Sequence, residues 1–287
     1  MSMKLTNYVV VFLVLICLSC NDEEGIPTVE ETRGYNMLLI GNSFFKPYAN
    51  HLEIVALDAG FEEHQATTIF RGGDNGRPIN FWNDTYSAEH QEIKSILDAG
   101  NVEIFGMTAG PESEDPIEGH RAWISYALQS NPDINIFIAI PTIDFPADWT
   151  ERANEYGFDT IQELYTYFVN DIVHHTMIDQ LRAEFPNTKI FSVPTGWATI
   201  NLAQMNQDNL LEDNIAMFGP KPTSIFTDQK GHQGQIAIEA GTLVWLSSIY
   251  QVDLNTNSYE TGFNTDLHIL AEQIMIDHNS EYKFKDD

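Results

Sequence analysis

YNMLLIGNSFFKPYANHLEIVALDAG (residues 35–60) is the stretch on which the fold turns. An apolar run of strand length stops at Gly41, Ser43 follows two residues later, and a helical pattern takes over at about 47–59. A strand passing through a tight turn straight into a helix is the first half of a β–α–β crossover, the unit from which parallel sheets are built. The turn also poses a chemical question. A serine there either caps the helix, a position serine favours, or is held up to react.

The same alternation continues along the chain. Strand-length apolar runs recur at 64–70, 101–108, 134–140 and 188–194, and helical patterns at about 86–99, 120–130, 158–185, 232–251 and 264–279. In the longest of these, Ile161, Leu164, Phe168, Ile172 and Met177 recur at roughly helical spacing. Apolar strands alternating with helices predict an α/β three-layer sandwich, a five-stranded parallel sheet flanked by helices. Such sheets collect ligands at the carboxyl ends of their strands, which is where Ser43 falls.

Residues 1–20 (MSMKLTNYVVVFLVLICLSC) carry one lysine and then an apolar run from about Tyr8 to Leu18. That is short of the roughly 20 apolar residues a permanent span needs, and it reads as a secretory signal. Residues 21–34 are polar and acidic and read as a disordered tether, leaving 35–280 as one domain. The only cysteines are Cys17 and Cys20. With both in the leader, the domain depends on its core rather than on a disulfide, and its length is ample for one. Fourteen basic residues against 42 acidic ones give a net charge of −28. A surface so acidic repels phosphate backbones, which excludes nucleic acid as a partner.

A serine hydroxyl needs a histidine to take its proton, a carboxylate to orient that histidine and amide donors for the developing oxyanion. A strand-to-helix turn supplies exposure and free N–H groups. Near the other end of the chain, FTDQKGHQGQIAIEAG places Asp228 and His232 in a polar loop entering a helix. Read alone, Asp228 closes a turn and His232 is solvated; read with Ser43, the pair supplies the base and its orienting group.

Together and in this order, GNSF and the Asp228/His232 block resemble the SGNH (GDSL-type) hydrolases, over residues 35–251. The resemblance implies a flavodoxin-like sheet and a serine esterase, with Ser43 as nucleophile, His232 as general base and Asp228 as its partner. In RGGDNGRP it assigns the Gly73 amide to the oxyanion, beside the Ser43 amide. It implies no cofactor and no metal, and a small ester substrate, most naturally an acyl group on a carbohydrate. Hydrolysis of longer acyl chains, or a glycan-binding protein on a decayed hydrolase scaffold, are the alternatives. VPTGWA (193–198) resembles the strand-5 end of related esterases. ICLSC resembles a bacterial lipobox with Cys20 as the lipidated residue, and NDEEG resembles the surface-export signals of Bacteroidetes lipoproteins. These imply an exported outer-membrane or cell-surface lipoprotein held to the membrane through Cys20, the alternative being a secreted or periplasmic protein.

Two departures from that pattern stand out. The aspartate lies four residues before the histidine rather than three, with Gln229 in the usual place, and the third block, IFGMTAGPES, lacks an asparagine, leaving the Thr108 hydroxyl as a candidate donor. Other candidates are weaker. His174 and His175 are adjacent and diverge by about 100° on a helix, while His268 and His278 lack ligands at metal spacing. Glu112, Glu114 and Asp115 read as a solvated acidic loop. Trp82 and Trp149 are expected in loops at the strand ends, where they either stack on a sugar or roof the core.

Overall fold

The computed structural model describes residues 33–285; the expected signal, the Cys20 lipidation site and nearly all of the tether lie outside the described residues. The sheet comprises β1 (Asn36–Gly41), β2 (Gln65–Phe70), β3 (Ile104–Thr108), β4 (Asn135–Ala139) and β5 (Ile190–Val193). They lie in the order β2-β1-β3-β4-β5 and every pairing is parallel. Met37 sits opposite Ile104, Ile104 opposite Asn135 and Ile136 opposite Ile190. Met37–Ile40 and Ile136–Ile138 are essentially inaccessible, as strands covered on both faces require. Edge strand β2 is less covered, exposing Gln65, Thr67 and Phe70 and burying only Ile69. The expected three-layer sandwich is therefore the fold.

The helices are α1 (Lys46–Asp58), α2 (Pro78–Asn83), α3 (Ala88–Asp98), α4 (Glu118–Ala127), α5 (Trp149–Glu155), α6 (Ile161–Tyr167), α7 (Asp179–Glu184), α8 (Gly196–Gln207), α9 (Gln235–Tyr250) and α10 (Leu267–Asp277). A π-helical stretch, Phe168–Ile178, joins α6 to α7. One layer gathers α1, α8 and α10 around α9, while α2, α3 and α4 pack together in another. A small parallel pair, β6 (Ala216–Phe218) and β7 (Ser224–Phe226), precedes α9.

Two features of this topology place the site. The sheet order reverses between β1 and β3, where chain leaving the strand ends diverges and a crevice opens. Ser43 follows β1 at that point. The second is the contact of α1 with α9, the helices entered just after Ser43 and just after His232. A Cβ on Gly241 would lie 2.2 Å from Cε1 of Tyr48, so only glycine lets α9 lie this close to α1. The Trp245 ring meets Phe45 edge-on at 4.9 Å and Phe137 at 5.2 Å, locking both helices onto the sheet. Apolar packing of two helices thus joins residues 189 positions apart.

Candidate active site

The Ser43 hydroxyl does not cap α1. Asn42 closes the turn instead: its carbonyl accepts from the amides of Phe45 (3.2 Å) and Lys46 (3.0 Å), and its side-chain oxygen accepts from Phe44 N–H at 2.9 Å. The helix starts with no side-chain cap and with proline in its first turn. Ser43 Oγ points the other way and lies 2.9 Å from Nε2 of His232.

His232 is held in turn by Asp228, whose Oδ2 is 2.6 Å from Nδ1. The other oxygen, Oδ1, accepts from the backbone N–H of Gly231 (3.1 Å) and of His232 itself (3.2 Å). The carbonyl of Asp228 also accepts from Gly231 N–H at 3.1 Å, so residues 228–231 form one closed turn. That turn absorbs the extra residue, and a spacing of four reaches Nδ1. Gln229 is exposed and bonds to none of the three side chains. Burial pushes the Asp228 carboxyl up, but hydrogen bonds from the His232 ring and backbone outweigh it and hold its pKa below the usual range. An ionised carboxylate can only accept, so Nδ1 carries the proton and Nε2 presents its lone pair to the Ser43 hydroxyl.

Other groups fix this arrangement. The Phe44 ring stacks on the His232 imidazole at 5.0 Å. The Gln233 side chain, buried beneath it, donates from Nε2 to the Phe44 carbonyl at 3.4 Å, tying the histidine loop to the serine turn. Lys230 stands at the mouth with Nζ 5.9 Å from the Phe44 ring centre and 3.9 Å from Asp144 Oδ2. Burial raises the Asp144 pKa in spite of that lysine. Phe145 N–H donates to the Lys230 carbonyl at 3.0 Å, fastening the loop after β4 to the histidine loop. Phe44, Lys230 and Gln233 lie inside the GNSF and FTDQKGHQGQ blocks but carry no recognised role in them, so their proximity to Ser43 or His232 is the only signal that pointed to them; Asp144 had none.

The glycine loop after β2 lies beside the serine turn. Arg71 N–H donates to the Gly41 carbonyl at 3.2 Å, and Asn80 Nδ2 holds the Asp74 carbonyl at 2.6 Å. Gly73 adopts φ +57°, and a Cβ there would sit 3.6 Å from Lys230 Nζ, so the glycine faces the histidine loop. The amides of Ser43 and Gly73 have no protein acceptor among the described residues. Thr108 is placed differently. It is 1% exposed, and its hydroxyl donates to the carbonyl of Ala109 at 3.4 Å. It lines the back of the serine turn, in a cavity of only about 10 Å³ shared with Phe44, Phe45, Pro141 and Trp245.

The weaker candidates resolve into structural roles. Glu112 pairs with Arg77 at 3.2 Å and Asp115 with Arg121. Trp149 opens α5 rather than lying in a loop; it is 5% exposed and donates to the Ile143 carbonyl at 2.9 Å, so it roofs the core. Trp82 lies in α2, edge-on to Trp123 at 4.9 Å.

No known family model matches this chain, and no curated protein matches it. Among solved structures, a DUF4886 family protein from Bacteroides uniformis superposes with a TM-score of 0.52 at 12% identity, covering 84% of this chain and 92% of that one. The two share a fold. The periplasmic domain of a lipopolysaccharide acetyltransferase from Salmonella ser. Paratyphi A is a more distant match, with a TM-score of 0.34 at 15% identity over 56% of this chain and 67% of that one.

Proposed function

We propose that this protein is a serine ester hydrolase of the SGNH type that removes a short acyl group, from a carbohydrate by preference. The observation that carries this reading is the unbroken chain Ser43–His232–Asp228, with links of 2.9 and 2.6 Å. Ser43 Oγ attacks the ester carbonyl while its proton passes to Nε2 of His232, and Asp228 stabilises the imidazolium formed. The carbonyl oxygen becomes an oxyanion that the Ser43 and Gly73 amides are free to receive. As the tetrahedral intermediate collapses, Nε2 returns the proton to the leaving alkoxide and the alcohol departs. Water then repeats the sequence on the acyl-enzyme, giving the acid and free Ser43. The Thr108 hydroxyl, engaged with Ala109, is the weakest of the three expected oxyanion donors.

Behind the serine turn the core is closely packed, with a void of only about 10 Å³ between Phe44, Thr108 and Trp245, so the substrate reaches Ser43 from the open side at the strand ends. The resemblance of residues 1–25 to an exported lipoprotein supports placing the enzyme outside the cytoplasm, tethered through Cys20. A fluorophosphonate probe tests the class: the folded protein should label at Ser43, and labelling should vanish in Ser43→Ala and His232→Ala. A folded wild-type chain that neither labels nor hydrolyses p-nitrophenyl acetate would leave the glycan-binding alternative.

A further inference from the structure

At the β5 side of the sheet, a cavity of about 250 Å³ opens between the π-helical stretch, α8 and α10. It shares no lining residue with the Ser43 site. Its lining residues include Trp197, Asn170, Asn201, Thr166, Asp277 and His278. Trp197 is half-buried and packs edge-on against Tyr165 at 4.9 Å. Neither its Nε1–H nor the side-chain amide of Asn170 or Asn201 has a protein partner among the described residues, and all three residues are half-buried at the cavity, so their polar groups are available to a ligand there. The π-helical wall is notable, because such wide turns cost regular helical bonding and recur at functional positions.

Charge narrows the ligand. No lysine or arginine lines the cavity, one carboxylate does, and the chain carries −28 overall, so an anion is disfavoured. His278 is hydrogen-bonded through Nε2 to Ser192 at 3.2 Å, and burial keeps it neutral. Among the described residues no three His, Cys, Asp or Glu side chains gather as a metal would need. A wholly apolar ligand would strand the two amides and the indole N–H. What remains is a neutral, hydroxyl-rich ring. A pyranose presents an apolar C–H face to stack on an indole and equatorial hydroxyls that both give and take hydrogen bonds, as carboxamides require. A cavity of about 250 Å³ suits one ring rather than a long oligosaccharide.

We propose that this cavity, formed by Trp197, Asn170 and Asn201, is a second binding site that takes a single neutral pyranose residue. It does not rest on ester hydrolysis, since a protein inactive at Ser43 could still bind there.

The test is saturation-transfer NMR and calorimetry with neutral methyl pyranosides (gluco, galacto, manno and N-acetylglucosamine) on the Ser43→Ala protein. At least one should bind with a Kd of about 1 mM, an affinity typical of a site this small and polar. The matching methyl glucuronoside should bind several-fold more weakly. Adding Asn170→Ala with Asn201→Ala in that background should weaken binding at least tenfold. Should that double variant melt early, Trp197→Phe, which keeps a ring against Tyr165 but loses the indole N–H, must still weaken it. Absence of binding by every neutral pyranoside, or binding that survives these substitutions, overturns the proposal.

Discussion

The imidazole of His232 lies flat on the ring of Phe44, the residue next to Ser43, with 5.0 Å between centroids and 16° between planes. The serine turn therefore carries both the nucleophile and the platform that orients the base. A stacked ring restricts imidazole rotation, and small misplacements of a base are costly in rate. Phe44→Ala should lower kcat by roughly tenfold and leave KM nearly unchanged, with Phe44→Tyr restoring most of the loss. Steady-state kinetics on p-nitrophenyl acetate checks it; an equal rise in KM would show that Phe44 contacts substrate instead.

Asp228 serves two purposes with two oxygens, one for Nδ1 and one for the amides of the 228–231 turn. In Asp228→Asn the amide nitrogen would face Nδ1 and favour the wrong tautomer. A fall in kcat of about 10²- to 10⁴-fold is expected, while circular dichroism and Tm stay close to wild type. Gln229, three residues before His232, bonds to none of the site's side chains. Gln229→Ala should keep activity within about twofold, because exposed positions without partners tolerate truncation. A large loss there would move the orienting role away from Asp228.

Much of this was legible in the sequence, for identifiable reasons. Strands β1, β3, β4 and β5 are apolar runs because both faces of a parallel sheet are covered, so each stands out against the polar helix surfaces, while β2 is marked only by its β-branched Thr67, Thr68 and Ile69 at the sheet edge. Ser43, Asp228 and His232 were legible because each sits at an element boundary in a recognisable short block. What escaped was structure without a period. Helix α8 buries Ala198, Thr199, Ile200, Leu202 and Ala203 on several sides, which erases the one-sided stripe that marks a surface helix. Helices α2 and α5 are only six and seven residues long, too short to show one. The turn closed by the Asn42 side chain on Phe44 N–H and the stacking of Phe44 on His232 depend on side-chain directions that spacing does not encode.

The oxyanion assignment separates cleanly by mutation. Gly73 holds φ +57°, where an alanine is strained by about 1–2 kcal/mol, so Gly73→Ala should displace the amide and reduce kcat by ten- to a hundredfold, an effect expected for a misaligned donor. Thr108→Val removes a hydroxyl already engaged with Ala109. That variant should stay within about threefold of wild type in kcat, because the hydroxyl it removes makes only one long hydrogen bond, to the Ala109 carbonyl at 3.4 Å. The opposite ranking, with Thr108→Val the more damaging, would place the threonine at the oxyanion.

Stability should depend on pH through histidines that the fold keeps neutral. His120 in α4 is 1% exposed, with Nε2 3.1 Å from the Thr108 carbonyl. Burial pushes its pKa down to about 4, opposed by that hydrogen bond and aided by nearby Arg77. Burial likewise lowers His64 to about 4, His174 to about 3 and His278 to about 4. Unfolded, each titrates near 6.5. Below that pH the unfolded chain binds protons the native state refuses, so the stabilisation present at neutral pH is lost as pH falls from about 6.5 towards 4. For His120 alone the loss at pH 5 is about 2 kcal/mol. Protonation of surface carboxylates acts in the opposite sense by relieving repulsion among the 42 acidic residues, so a single melting curve cannot isolate the histidine. The comparison that does is urea unfolding of wild type and His120→Gln at pH 7.5 and 5. The glutamine keeps a donor for Thr108 but does not titrate, and its stability should fall by about 2 kcal/mol less between the two pH values. Equal losses would mean that His120 already protonates in the native state.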